Sequence, residues 1–385
     1  MPARLPDAPR QYLAASVLSV LLALSLQGLS FTVGHQADPA QMLRLPDPSR
    51  SVGGFDGQFF LALAKDPLAI APTTAKALDS PVLRARRIGL PLTAWLLAWF
   101  VGGAAAGLLV AESLFLLALV AIVQGELRRE GLPPLLCPAI ALLLPFALST
   151  ELVTAELPTA VMLLLSARQQ RRGRGRSAFA ALAAACLFKE VAVLAVAGLA
   201  VSSALCRRRR ECVLRLACML PLFGWQAYLS LRFARTGIGE LLPNLALPGR
   251  GLLAAIVNPL AELAVAGFHA KQLALLTATL WYVAGGAFAV LLLKRGPSDG
   301  RLTAGLGAVL VLLLSYGGST QAYNEIFNFG RQLFLVVIGI SNVLLYEAWS
   351  LSRREHAFIT AWLIAGAALG AAWWAEQIMS SGLAT

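Results

Sequence analysis

The sequence predicts an all-α protein threaded repeatedly through a membrane, and three observations carry that expectation. Hydrophobic residues make up 58% of the chain, charged residues only 14%, and the mean hydropathy is +0.71, a balance unlike that of a water-soluble domain. Apolar runs of bilayer-crossing length, about 20 residues each, recur along the chain. The basic residues behind the net charge of +12 fall mostly between those runs, where they report topology rather than nucleic-acid binding.

Residues 12–33 form the first run, preceded by Arg4 and Arg10. It is too long for a secretory signal and lacks a clear small-x-small cleavage site, so an uncleaved span with a cytoplasmic N-terminus is expected. A long first external loop, residues 35–103, follows. Within and beyond it, the apolar stretch 88–124 is too long for one crossing and cramped for two. Two crossings would place Arg128, Arg129 and every later arginine cluster outside, whereas one places them inside. Residues 88–99 are therefore expected as a short helix at the outer interface, anchored by Trp95 and Trp99, with span two over 103–124.

Span three is expected over 133–148, then a short external acidic loop, 149–156, and span four over 157–165. Arg168, Arg171, Arg172, Arg174 and Arg176 return the chain inside. The run 178–205 carries Lys189 and Glu190 near its middle. One helix there would bury both charges and set the flanking arginine clusters on opposite sides. Two short helices turning at the pair avoid both penalties. Arg207 to Arg210 follow inside, then span seven over 213–231 and an external, turn-rich segment over 232–272. Spans over 273–293, 302–316, 332–346 and 357–374 complete about 11 crossings, with Lys294, Arg295, Arg301, Arg353 and Arg354 inside.

Several chemistries find no support. The five cysteines lie in spans or at their basic ends and give neither a disulfide framework nor zinc spacing. His35, His269 and His356 lack metal-ligand spacing, and no Gly-rich phosphate loop follows a strand.

Chemistry concentrates in the first loop. Phe55, Phe59 and Leu63 recur at helical spacing with Phe60 beside them, which predicts an amphipathic helix over 57–65 lying on the outer leaflet. Asp56 stands at its N-terminal edge and reads equally well as a helix cap or as a reactive carboxylate. Arg84, Arg86 and Arg87 read as phosphate-binding guanidinium groups or as headgroup anchors.

The run Phe-Asp-Gly-Gln-Phe-Phe at 55–60, Asp66-Pro67, and Leu-Asp-x-Pro-x-x-Arg-x-x-Arg-Ile-x-x-Pro at 78–91 resemble the first external loop of bacterial membrane glycosyltransferases of the GT-C class. The turn Leu-Phe-Lys-Glu-Val at 187–191 is similar to a Lys-Glu signature of that class. The resemblance implies a GT-C-like helical bundle in the bacterial inner membrane, with its active site on the external face. It implies transfer, with inversion, of a sugar from a polyprenyl-phosphate donor to a glycan, lipid or protein acceptor at the cell surface. In it Asp56 is the catalytic base.

Arg84, Arg86, Arg87, Lys189 and Arg331 would hold the donor phosphate, and Gln58, Asp79, Glu151, Glu156, Glu190 and Glu325 would support the site or meet the acceptor. Residues 1–232 would form the catalytic module and 233–385 a variable transmembrane region. Sequences of the class usually carry Tyr before the acidic residue and before the first arginine, where this chain has Phe55 and Leu83; those hydroxyl contacts are missing. No Asp-x-Asp pair occurs in the loop, so no cofactor is expected, with a divalent cation as the lesser alternative. The competing readings are a transporter or flippase for lipid-linked intermediates, which should show two related halves with broken spans, and a non-catalytic partner in surface-polysaccharide assembly.

Overall fold

Every element described by the computed structural model is helical. The structure describes residues 8–29, 31–32, 43, 56–235, 250–266, 270–296, 298–313 and 334–382. Arg331 and Glu325 lie outside these residues.

After α1 (Ala8–Leu29), the first loop holds α2 (Asp56–Lys65), α3 (Pro72–Ala77) and α4 (Pro81–Ala85). The last two open on proline, whose missing N–H would have no intrahelical partner at that position. Next come α5 (Gly89–Val101) and α6 (Ala104–Glu130). They form a hairpin through Gly102 (φ 83°) and Gly103 (φ 144°), a turn whose backbone favours residues without a Cβ. Of the two, α6 with 27 residues is long and apolar enough to cross a membrane alone, whereas α5 has 13.

The chain goes on through α7 (Leu136–Ala141), α8 (Leu144–Leu152), α9 (Glu156–Arg171), α10 (Gly175–Phe188) and α11 (Ala192–Leu205). Helices α12 (Arg209–Ala217) and α13 (Leu220–Phe233) run nearly end to end. The remainder is α14 (Arg250–Ala266), α15 (Ala270–Leu293), α16 (Asp299–Leu313), α17 (Phe334–Glu347) and α18 (Arg353–Gly382).

Charged and polar pairs gather several arginine-bearing helix ends at one end of the bundle. Tyr12 donates to the Leu132 carbonyl at 2.7 Å, and Arg171 pairs with Glu130 at 2.8 Å. Arg215 grips Asp299 through two hydrogen bonds of 3.0 and 2.9 Å, Arg301 meets Glu347 at 3.2 Å, and Arg295 meets Glu355 at 2.7 Å. These pairs tie α1, α6, α9, α12, α16, α17 and α18 together at what is called below the basic end.

Among the described residues five helices are long and apolar enough to cross a membrane alone: 10–29, 104–130, 209–233, 272–293 and 353–375. Helices α10 and α11 have 14 residues each, about 21 Å, and stop short of a hydrocarbon layer of about 30 Å. The turn between them therefore lies recessed within the bundle.

Four expectations need correction. Residues 133–148 are not one span but α7 and α8, broken at Leu142–Leu143, where Leu143 turns extended (ψ 137°) before Pro145. The first half of the acidic loop 149–156 is the end of α8, which carries Glu151, and Glu156 opens α9 fully buried. Helix α2 forms where expected but does not lie on a leaflet. Its Phe60 and Ala64 enter the main core and its Phe59 and Leu63 a second cluster with Leu78, Val82, Ala85 and Leu229, because both of its faces are apolar enough to be covered. In the turn-rich segment, Asn258–Pro259 falls inside α14; flanking apolar residues at helical spacing outweigh the local turn signal.

Close helix contacts rest on small residues. A Cβ at Gly339 of α17 would run into the Ala304 backbone of α16, whereas one at Gly224 meets nothing within 4 Å. Gly339→Ala is expected to cost about 1–3 kcal/mol and to lower the thermal unfolding midpoint in detergent. Gly224→Ala should leave that midpoint unchanged or raise it slightly.

Candidate active site

The first-loop residues and the Lys189–Glu190 turn meet at one level of the bundle. Asp56, the first residue of α2, accepts hydrogen bonds on both carboxylate oxygens, from Arg84 Nη1 at 2.9 Å and from Arg87 Nη1 at 2.7 Å. Arg87 turns its other side to Glu190, with Nε and Nη2 each 3.0 Å from a Glu190 oxygen. Arg86 donates to the same carboxylate at 2.6 Å. Arg84 uses Nε and Nη2 on Asp79, at 2.9 and 3.1 Å, and its guanidinium lies 4.4 Å from the centroid of the Phe59 ring.

Local structure explains why these groups reach each other. Gly89 follows the arginines, and a Cβ there would strike the Phe188 ring and backbone at 2.7–2.9 Å. Glycine lets the start of α5 abut the end of α10, which sets Arg86 and Arg87 beside the turn at 189–190. Helix α13 straps the loop from outside. Trp225 Nε1 donates to the Ala85 carbonyl at 2.8 Å, Tyr228 to Leu68 at 2.8 Å, and Arg232 to Ile70 at 2.7 Å. Ala69, held in the left-handed region at φ 51°, offers its carbonyl to Arg232 at 3.2 Å. Asp66 accepts the Ala71 N–H at 2.7 Å.

The cluster opens to solvent on one side. Side-chain exposure falls from 56% at Asp79 through 29% at Arg84 to 5% at Asp56. Gln58, in the first turn of α2, is half-buried.

Three expected roles change. Lys189 does not stand free for a phosphate with Glu190 fixing it: its ammonium pairs with Glu156 and lies 5.1 Å from the centroid of the Phe334 ring. Glu156 is thus a buried counter-ion and not a loop charge awaiting an acceptor. Arg86, also expected to hold phosphate, is buried against Glu190.

Comparison with known proteins finds no matching family model, curated protein or solved structure. The site therefore has to be read from its own geometry.

One group escaped the sequence reading. Glu112, in α6, is fully buried, and neither carboxyl oxygen has a hydrogen-bond partner among the described residues; it lies near enough to Glu156 for their charges to interact. A lone carboxyl inside a long apolar helix was the available signal. Among the described residues no three His, Cys, Asp or Glu side chains gather as they would around a metal ion.

Glu190 is largely buried between Arg86 and Arg87, which pair with its two oxygens. Glu190→Gln leaves two largely buried guanidinium groups short of charge, so it is expected to cost about 3–5 kcal/mol, read as a lower thermal unfolding midpoint in detergent at neutral pH.

Proposed function

We propose that the chain is an inverting membrane glycosyltransferase that takes a sugar from a polyprenyl-phosphate carrier. The observation that carries this reading is the Asp56 carboxylate held between Arg84 and Arg87 at a partly open edge of the bundle. The class resemblance of residues 53–91 and 187–191 supports it. In this reading the chain makes about 11 passes, some as re-entrant pairs, through a bacterial inner membrane. The basic end is cytoplasmic and the Asp56 end external, in accord with the bias of arginines toward the cytoplasm.

The charges dictate how such a site would work. Four cations, Arg84, Arg86, Arg87 and Lys189, face four carboxylates, Asp56, Asp79, Glu190 and Glu156. An incoming phosphate therefore has to replace a carboxylate rather than fill a gap. Arg84 is the place for the exchange, because it is the most exposed of the four cations and its partner Asp79 is half in water. A phosphate that draws Arg84 toward itself takes the Arg84 hydrogen bond away from Oδ1 of Asp56.

That oxygen then takes the proton of the acceptor hydroxyl as the hydroxyl oxygen attacks the anomeric carbon. The bond from that carbon to the phosphate oxygen breaks, its electron pair stays with the phosphate, and Arg84 stabilises the charge. Arg87, anchored by Glu190, keeps Asp56 in position. The donor sugar and the cell-surface acceptor, whether glycan, lipid or protein, would meet above this edge. Transport of lipid-linked intermediates is the second reading, favoured by Glu112 alone, since ionisable groups inside spans often mark a path.

Asp56→Asn should lower sugar transfer in reconstituted membranes about 100- to 10,000-fold while leaving donor binding in place, with thermal unfolding used to check the fold. Arg84→Gln should both raise the KM for donor and lower kcat, since Arg84 holds the phosphate and stabilises its charge as it leaves. Full turnover in the Asn variant would remove the general-base assignment.

A further inference from the structure

We infer that the corner between α11 and α12, at the basic end and far from Asp56, binds the headgroup of an anionic phospholipid. Arg207, Arg208, Arg209 and Arg210 are all exposed there. Arg208 lies 3.6 Å from Glu211, but Arg207, Arg209 and Arg210 have no carboxylate partner among the described residues. Arg207 sits at φ 58°, a conformation uncommon for a residue with a side chain. The turn it makes opens a concavity of about 570 Å³ lined by Ala204, Arg207, Arg209, Cys212 and Val213.

An aliphatic stripe leads away from this charge. Val213, Leu216 and Leu220 are exposed and follow Arg209 at intervals of four, three and four residues, which sets all four on one helix face. The stripe runs about 16 Å, and Leu205 and Val201, also exposed, line the end of α11 beside it. Only 22% of the apolar stretch within 209–233 is buried among the described residues, so in the membrane reading this face is open to lipid.

Guanidinium groups at the head and apolar side chains below them match the phosphate and acyl chains of a phospholipid. Free phosphate would meet the arginines but leave the stripe unused. Arg172, Arg174 and Arg176 provide the contrast. They are exposed at the same end, yet none of the exposed large apolar side chains lies on the adjoining α9 or α10. Charge alone is equal at the two corners; charge joined to an aliphatic face belongs to Arg207–Arg210.

The test uses the full chain in mild detergent, titrated with phosphatidylglycerol or phosphatidylcholine and read by native mass spectrometry. Phosphatidylglycerol should be retained with a preference of about tenfold or more. The triple variant Arg207→Gln, Arg209→Gln, Arg210→Gln should lose that preference, and the charge-matched triple Arg172→Gln, Arg174→Gln, Arg176→Gln should keep it. In the unaltered protein, alkylation of Cys212 should be slowed by phosphatidylglycerol and not by phosphatidylcholine or inorganic phosphate. Equal retention of both lipids, equal losses in the two triples, protection by inorganic phosphate alone, or protection of Cys212 only through dimer formation would each overturn the assignment.

Discussion

Arg87 is the joint on which the candidate site depends. Its guanidinium takes Asp56 on one edge and Glu190 on the other, so one side chain binds the first-loop layer to the turn between α10 and α11. Without it two carboxylates would stand close together in a poorly hydrated place, where their repulsion is far stronger than in water. Buried ion pairs contribute little net stability, since desolvation offsets most of the attraction. Their value here is positional: the planar fork fixes where both acids stand.

The surrounding scaffold brings that side chain to its station. Gly89 allows α5 to start against Phe188, and Trp225, Tyr228 and Arg232 of α13 hold the 68–85 backbone down by its carbonyls. The same segment buries Ala69, Leu78, Val82 and Ala85 in the second apolar cluster, and these hydrogen bonds add to that packing. Among the described residues the edge most open to solvent holds Asp79 and Arg84, so a ligand approaching there meets the least buried pair of the network first.

What could be read from the sequence follows from how local each signal is. Apolar runs and the arginines between them are local patterns, and they gave the helices and the break at Lys189–Glu190. The site residues were legible by type, because Asp56, Arg84 and Arg87 fall in one loop. Their partners were not: Arg87 meets Glu190 across 103 residues, and no pattern within the loop announces that. Glu156 looked solvated because it follows a polar stretch, yet Lys189 folds back onto it. Glu112 was hidden by the apolar helix around it, and Asn258–Pro259 gave a turn signal that the helical context overrode.

The two ends of the bundle use arginine in opposite ways, and burial decides which. Arg86 and Arg87 have side-chain exposures of 9% and 11%, and each is matched to a carboxylate, because an unpaired charge there would be costly. At the basic end Arg207, Arg209 and Arg210 are exposed and need no carboxylate of their own. A guanidinium group free enough to take a new anion, yet placed by neighbours well enough to orient it, has to lie between these extremes. Arg84 meets that condition: its Nη1 is fixed by buried Asp56, while its other edge is held by a carboxylate that water already reaches.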